Sequence, residues 1–161
     1  MSRSQHRRKG VDTDTGKTRP KERTPSFQLR LVMQSDPRFL SVVRSTIGEL
    51  ASVLGGSDEE SRATMLAIDE ALTNVIRHSY HGERNKPIRL ICDVRNLSLN
   101  VRIVDQGAPP DMAKVCACDP AAPEPGGRGT HVIKEVMDVV RYERTRAGNQ
   151  LRLRKDFRKR T

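Results

Sequence analysis

Residues 69–80 read DEALTNVIRHSY, and their apolar residues follow a helical period. Leu72, Val75 and Ile76 recur at three-to-four spacing and continue a stripe that begins at Met65 and Ile68. A stripe of this kind predicts an amphipathic helix with one face in the core. The polar residues between the apolar ones then lie on the other side.

The predicted helix begins at Ser57, which has Glu60 three residues later and so forms a capping box, and it ends at about Ser79. At about 100° per residue, Glu70 and Asn74 lie about 40° apart, almost opposite the apolar stripe. A carboxylate one turn from a carboxamide offers two oxygens to a hard cation such as Mg²⁺, which takes few protein ligands. The pair alone does not exclude an ordinary solvent-exposed face.

The rest of the chain alternates between strand and helix patterns. The predicted elements are a strand over 27–33, a helix from Asp36-Pro37 to about Leu54, a hairpin of 88–94 and 97–104, a helix from Gly129 to about Val139, and a hairpin of 140–145 and 151–157. Residues 106 to about 126, rich in Pro and Gly, predict a long loop that is either functional, such as a lid, or disordered. This order predicts an α+β fold with two layers, in which helices cover one face of a mostly antiparallel sheet.

Two further segments carry residues suited to ligand binding. Asp105 follows a buried strand pattern and precedes Gly107, so its carboxylate could accept a hydrogen bond from an exocyclic amine or simply cap the turn. The glycine-rich segment 126–129 opens a helix, where free N–H groups and the helix dipole favour a phosphate. Flexible loop chemistry beside a helix is the alternative. The segment has neither the Walker pattern nor the dinucleotide-binding glycine pattern.

Composition predicts one domain between basic tails. The chain has 161 residues and a net charge of +10. Residues 1–24 carry a surplus of five positive charges, residues 152–161 carry another five, and the remainder is balanced. We therefore expect a disordered basic tail over 1–24, a domain over 25–157 and a short basic tail over 158–161. The scarcity of aromatic residues disfavours specific nucleic-acid recognition.

The sequence has no apolar run of membrane-spanning length and no signal-peptide pattern at its beginning, so a cytoplasmic location is expected. The odd number of cysteines, three, fits a reducing compartment. Cys116 and Cys118 are spaced too closely for an ordinary zinc site.

Taken together, the three segments resemble the GHKL (Bergerat-fold) ATP-binding domain over residues 26–157. They are most similar to bacterial anti-sigma factor serine/threonine kinases of the RsbW and SpoIIAB type. Residues 69–80 resemble the N box of that family, residues 104–107 its G1 box and residues 126–133 its G2 box. The order and spacing of the boxes also match.

The resemblance implies a role for each matching position. Glu70 is expected to act as the base toward a serine hydroxyl, and Asn74 to hold the Mg²⁺ that bridges the ATP phosphates. Asp105 is expected to bind the adenine amine in a pocket that Gly107 shapes. The residues expected to close over the phosphates are Gly127, Arg128, Gly129 and Thr130.

The resemblance also implies partners: a sigma factor that the protein sequesters, a STAS-domain antagonist whose serine it phosphorylates, and a second copy in a homodimer. Two alternatives of the same fold stay open. One is a binding module that uses ATP without catalysis, and the other is a detached ATPase domain of a histidine kinase. The chain has Gly148-Asn149-Gln150 where many relatives have Gly-Thr, so any contact from that turn to the nucleotide is left open.

Overall fold

A computed structural model describes residues 26–110 and 128–157. The strands are β1 (Phe27–Gln34), β2 (Pro87–Arg95), β3 (Ser98–Asp105), β4 (Val139–Thr145) and β5 (Gly148–Asp156). The helices are α1 (Leu40–Val53), preceded by a 3-10 turn over Pro37–Phe39, then α2 (Asp58–Asn74), which continues as a π turn over Val75–Ser79, and α3 (Arg128–Val136).

The five strands form one antiparallel sheet in the order β1-β2-β3-β5-β4. The helices form a second layer in which α2 packs between α1 and α3. The predicted α+β fold with two layers is therefore confirmed. The core lies between the layers, where fully buried side chains of α2 such as Ile68 and Leu72 meet those of the central strands, such as Leu90 and Ile103.

Local sequence explains where the helices begin. The Asp36 carboxylate accepts a hydrogen bond from the Arg38 backbone N–H (3.0 Å) and caps the 3-10 turn that opens with Pro37. The predicted capping box of α2 is present: Ser57 N donates to Glu60 Oε2 (2.8 Å), and Glu60 N donates to Ser57 Oγ (3.2 Å). These bonds fix where each helix starts and hence which face it turns to the sheet.

The predicted elements differ from the structure at three ends. The last helix ends at Val136, so Val139 belongs to β4, because Met137 and Asp138 already turn the chain toward β5. The strand predicted over 97–104 begins one residue later, at Ser98, because Leu97 belongs to the turn. The turn residues Asn96 and Leu97 both have positive φ (50° and 61°), which gives the twist that suits a tight hairpin. The continuous helix predicted to Ser79 changes to a π turn after Asn74.

Several predictions concern residues outside the described ranges. These are the N-terminal tail over 1–24, most of the long loop with Cys116 and Cys118, Gly127, and the C-terminal tail over 158–161. Cys92 is described: it is buried in the core, and burial raises the pKa of its thiol to about 12. None of the helices in the described parts has the length and apolar character of a membrane span.

The face of the sheet turned away from the helices carries part of the positive charge that the sequence places in the tails. Arg102, Arg152 and Arg141 are direct neighbours across β3, β5 and β4. Two of them pair with carboxylates: Arg102 with Asp93 (3.3 Å) and Arg152 with Glu143 (3.2 Å). Residues 152–156, which carry part of the basic surplus counted over 152–161, belong to β5, in line with the strand predicted over 151–157.

The Asp36 cap makes a testable contribution to stability at acid pH. Hydrogen bonds from Arg38 lower the pKa of the Asp36 carboxyl from its usual value near 4 to about 2. The stabilisation by the ionised cap is therefore complete above about pH 4 and is lost as the pH falls toward 2. Asp36→Asn keeps an oxygen that can cap the turn but does not titrate. We expect the difference in free energy of unfolding between the native chain and this variant, from urea unfolding at pH 2.5 to 5, to shrink at low pH. A difference independent of pH would contradict this account.

Candidate functional site

The structure brings the polar face of α2 against the beginning of α3. A Cβ atom added to Gly129 would overlap the Glu70 carboxylate oxygen Oε2 and would lie 3.7 Å from the Asn74 amide nitrogen Nδ2. Both side chains are half-buried. The absence of a side chain at Gly129 therefore allows Glu70 to reach the first turn of α3. Gly129, which is far from Glu70 and Asn74 in sequence, thus shares one location with them.

The first turn of α3 adds electrostatic character to this location. Unpaired N–H groups at the beginning of a helix, together with its dipole, favour negative charge. Thr130 is half-buried in this turn, and Arg128 is the first residue of the helix. Gly127 lies outside the described residues. A phosphate group is the ligand that such a helix start would favour.

The side chains at this location suit a magnesium ion that is shared with a ligand. No cluster of three or more His, Cys, Asp or Glu side chains suited to a metal occurs among the residues that the structure describes. Glu70 and Asn74 have side-chain oxygens that suit a hard cation, and both side chains lie beside Gly129, which has no side chain of its own. Two such residues match Mg²⁺, which usually takes one or two protein oxygens and completes its shell with water and phosphate. The residues present therefore fit the predicted magnesium.

Asp105 lies at the end of β3 and is 5% exposed. Its Oδ1 accepts two hydrogen bonds of 2.9 Å, one from the Gly107 backbone N–H and one from the Asn149 side-chain amide. The turn-capping interpretation is thus correct for one oxygen. A buried carboxylate at the edge of the sheet that is held through one oxygen can offer the other to a ligand.

The turn after Asp105 is attached to the π turn at the end of α2. Ala108 N donates to the Ser79 carbonyl (2.8 Å), and Gln106 N donates to the Tyr80 hydroxyl (2.8 Å). A Cβ on Gly107 would overlap the Ser79 carbonyl oxygen, so only glycine permits this approach. The end of one helix therefore fixes the position of the Asp105 turn.

Tyr80 connects three parts of the chain. The residue is 4% exposed, and its hydroxyl accepts from Gln106 N while donating to the carbonyl of Pro87 at the start of β2 (2.6 Å). Burial raises the pKa of the phenol, which keeps it protonated and able to donate. The π turn places Tyr80 here, because Tyr80 N bonds to Val75 O, five residues back. Such turns are frequent at functional sites.

Helix α2 thus carries both ends of the candidate site. Glu70 lies one helical turn, roughly 6 Å along the axis, before Asn74. The π turn over Val75–Ser79 then separates Asn74 from Ser79, where the Asp105 turn is attached. This separation suits a ligand with a hydrogen-bonding group at one end and phosphates at the other. The predicted residues Glu70, Asn74 and Gly129 form one end, and Asp105 with Gly107 forms the other.

Sequence reasoning assigned no role to Tyr80, Asn149 or Arg144. Asn149 is the direct neighbour of Asp105 across β3 and β5, and Arg144 is the neighbour of Asn149 across β5 and β4. The register of the sheet reveals this row, whereas the sequence shows only an asparagine after the glycine of a hairpin. The sequence shows Tyr80 directly after the predicted helix, but its hydrogen bonds to Gln106 and Pro87 depend on the π turn, which the sequence does not predict.

The sequence profile of the histidine kinase-like ATPase domain family matches residues 33–155. The chain belongs to this family. It is similar to the serine-protein kinase RsbW of Bacillus licheniformis, with 27% identity over 115 residues, which cover 66% of this chain and 72% of the relative. RsbW of Bacillus subtilis is 25% identical over 123 residues, which cover 71% of this chain and 77% of the relative.

A solved structure has the same fold. It is the crystal structure of the RsbU and RsbW domains of a Mycobacterium tuberculosis protein, with a TM-score of 0.57 and 14% identity. The match covers 82% of this chain, which spans only 32% of that longer chain. The resemblance to GHKL proteins of the RsbW type is thereby confirmed, together with the fold. The names of the relatives support kinase activity for the family as a whole.

The two glycines of the site should respond differently to alanine. In Gly107→Ala the new methyl group meets the Ser79 backbone carbonyl, which the helix holds in place, so we expect the free energy of unfolding to fall by about 2 kcal/mol. In Gly129→Ala the methyl group meets the end of the Glu70 side chain, which can rotate away. We expect a change below about 1 kcal/mol there, since alanine also favours the helix. Urea unfolding of both variants measures the contrast, and equal losses would contradict the described geometry.

Proposed function

We propose that this protein is an ATP-dependent protein serine/threonine kinase that also acts as an anti-sigma factor. The observation that carries the proposal is the meeting of Glu70 and Asn74 with the beginning of α3 at Gly129, while the Asp105 turn is fixed at the other end of α2. This arrangement supports one elongated site with room for phosphates at the α3 end and for a nucleobase at the Asp105 end.

In the proposed site, the Asp105 carboxylate accepts a hydrogen bond from the exocyclic amine of adenine, and Gly107 keeps the turn beside it close to α2. The phosphates lie at the beginning of α3, where the N–H groups favour negative charge. The residues proposed to contact them are Gly127, Arg128, Gly129 and Thr130.

Glu70 and Asn74 have separate proposed tasks at the phosphate end. Asn74 offers its side-chain oxygen to Mg²⁺, which, when bound with ATP, neutralises charge on the phosphates. Glu70 accepts the proton of a serine hydroxyl as the serine oxygen bonds to the γ-phosphorus and the bond to the bridging oxygen of ADP breaks. Positioning and electrostatic stabilisation supply most of the acceleration in such transfers.

We further propose that the substrate serine lies on a STAS-domain antagonist and that the protein sequesters a sigma factor, as a homodimer. The similarity to RsbW serine-protein kinases supports a serine as the acceptor. The boundaries 25–157 for the kinase domain are part of the same proposal, and the family match over 33–155 is consistent with them. A module that binds ATP without catalysis remains the alternative, and the experiment below separates the two.

Replacement of the proposed base tests catalysis directly. Glu70→Gln keeps the size and hydrogen-bonding capacity of the side chain but removes its basicity. We expect phosphoryl transfer to fall about 100-fold or more, because general-base assistance contributes roughly that much. The dissociation constant for ATP, from titration calorimetry with Mg²⁺, should change by less than about threefold. Transfer is measured from labelled ATP to purified STAS-domain proteins of the organism that encodes the chain.

Glu59→Gln is a matched control, since Glu59 is exposed in the first turn of the same helix. It should retain native transfer. A native chain that binds ATP and the sigma factor but transfers no phosphate to any of these STAS-domain proteins would support the binding module over the kinase. Equal transfer by the native chain and Glu70→Gln would remove Glu70 from the proposed catalytic role.

A further inference from the structure

Three polar side chains form a row across three neighbouring strands, at the strand ends where the candidate site lies. Asp105 on β3, Asn149 on β5 and Arg144 on β4 are direct neighbours in the strand register. Asn149 is 6% exposed, and Asp105 is 5% exposed. A buried asparagine beside a buried carboxylate has a defined hydrogen-bonding task, because an unpaired polar group there would be costly.

The amide of Asn149 is oriented by Arg144. Arg144 Nη1 donates to the side-chain oxygen Oδ1 of Asn149 (3.0 Å), so the amide nitrogen points to the opposite side. On that side Nδ2 donates to Asp105 Oδ1 (2.9 Å) and to the carbonyl oxygens of Gly107 (3.1 Å) and Ala108 (3.1 Å). All three partners are acceptors, and an amide group has only two N–H bonds, so at least one of them is shared. Only a donor suits this position.

We propose that Asn149 is a positioning residue that fixes the Asp105 carboxylate and the following turn for the exocyclic 6-amino group of adenine. The inference rests on the proposed function, since it concerns the end of the same site where the nucleobase would bind. Because Oδ1 of Asp105 already accepts from Gly107 N and Asn149 Nδ2, the side chain is held with its second oxygen available to a ligand donor.

This arrangement has a consequence for the choice of base. The amine of adenine donates to a carboxylate oxygen, whereas the oxygen at the corresponding position of guanine is an acceptor and is repelled by it. A carboxylate in a fixed orientation discriminates between them better than one that can rotate. Asn149 therefore affects both the affinity for ATP and the preference for ATP over GTP, and it does not contact the reacting phosphate.

The glycine before Asn149 makes the close approach possible. Gly148 has a φ of +117°, and a Cβ atom there would overlap the carbonyl oxygen of Asp105. The hairpin between β4 and β5 therefore lies directly against the end of β3. A threonine at position 149 has one hydroxyl hydrogen in place of two amide N–H bonds, so it can donate to only one of the three acceptors at a time.

Binding of ATP and GTP to Asn149→Ala, measured by titration calorimetry with Mg²⁺, tests the proposal. We expect the dissociation constant for ATP to rise roughly tenfold, since a hydrogen bond to a charged group is lost. The preference for ATP over GTP should fall several-fold, and kcat at saturating ATP should stay within about twofold. Asn149→Thr should recover part of the affinity.

Gln150→Ala is the matched control, because the neighbouring amide points to the other face of the sheet and donates to Glu143 (3.2 Å). It should bind ATP as the native chain does. Should Asn149→Ala fail to fold, Arg144→Met tests the proposal in its place. It removes the guanidinium that orients the Asn149 amide, and we expect it to raise the dissociation constant for ATP about threefold.

Native affinity and native base preference in Asn149→Ala, or in Arg144→Met where that variant decides, would overturn the inference alone. ATP binding by the native chain without transfer to serine would overturn only the proposed kinase activity. The binding data would then still test the positioning role of Asn149. Failure of the native chain to bind ATP would overturn both the proposed function and this inference.

Discussion

The attachment of the Asp105 turn to the end of α2 is the constraint on which the rest of the site depends. Backbone N–H groups of the turn donate to the Ser79 carbonyl and to the Tyr80 hydroxyl, and Gly107 leaves no side chain to keep them apart. Terminal carbonyls of a helix need partners outside it, and here the turn after β3 supplies one of them through Ala108 N. The sheet and the helix layer are thereby joined at the point where a ligand would enter between them.

The same helix sets the spacing of the site. Because Glu70, Asn74 and Ser79 follow one another along α2 and the π turn that continues it, these two elements set the distance between the Asp105 turn and the beginning of α3. Packing of α2 between α1 and α3 holds that helix in place. The described residues at the two ends of the candidate site are thus held in fixed positions, and such preorganisation would lower the entropic cost of binding the proposed ligand.

The sequence predicted the parts of this account that depend on local patterns. Apolar periodicity placed the helices and strands, the capping box at Ser57 fixed the start of α2, and the glycine cluster located the beginning of α3. Other features arise only after the strands pair. The row formed by Asp105, Asn149 and Arg144 depends on sheet register, which joins residues more than 40 positions apart. The π turn that brings Tyr80 to Gln106 has no simple period in the sequence.

Amide hydrogen exchange with and without MgATP tests whether the end of α2, the Asp105 turn and the beginning of α3 form one nucleotide site. We expect slower exchange in residues 74–80, 105–108 and 129–133 on addition of MgATP, with β1 unchanged because it lies at the far edge of the sheet. No slowing in these three segments at saturating MgATP, or slowing confined to a different part of the domain, would contradict it.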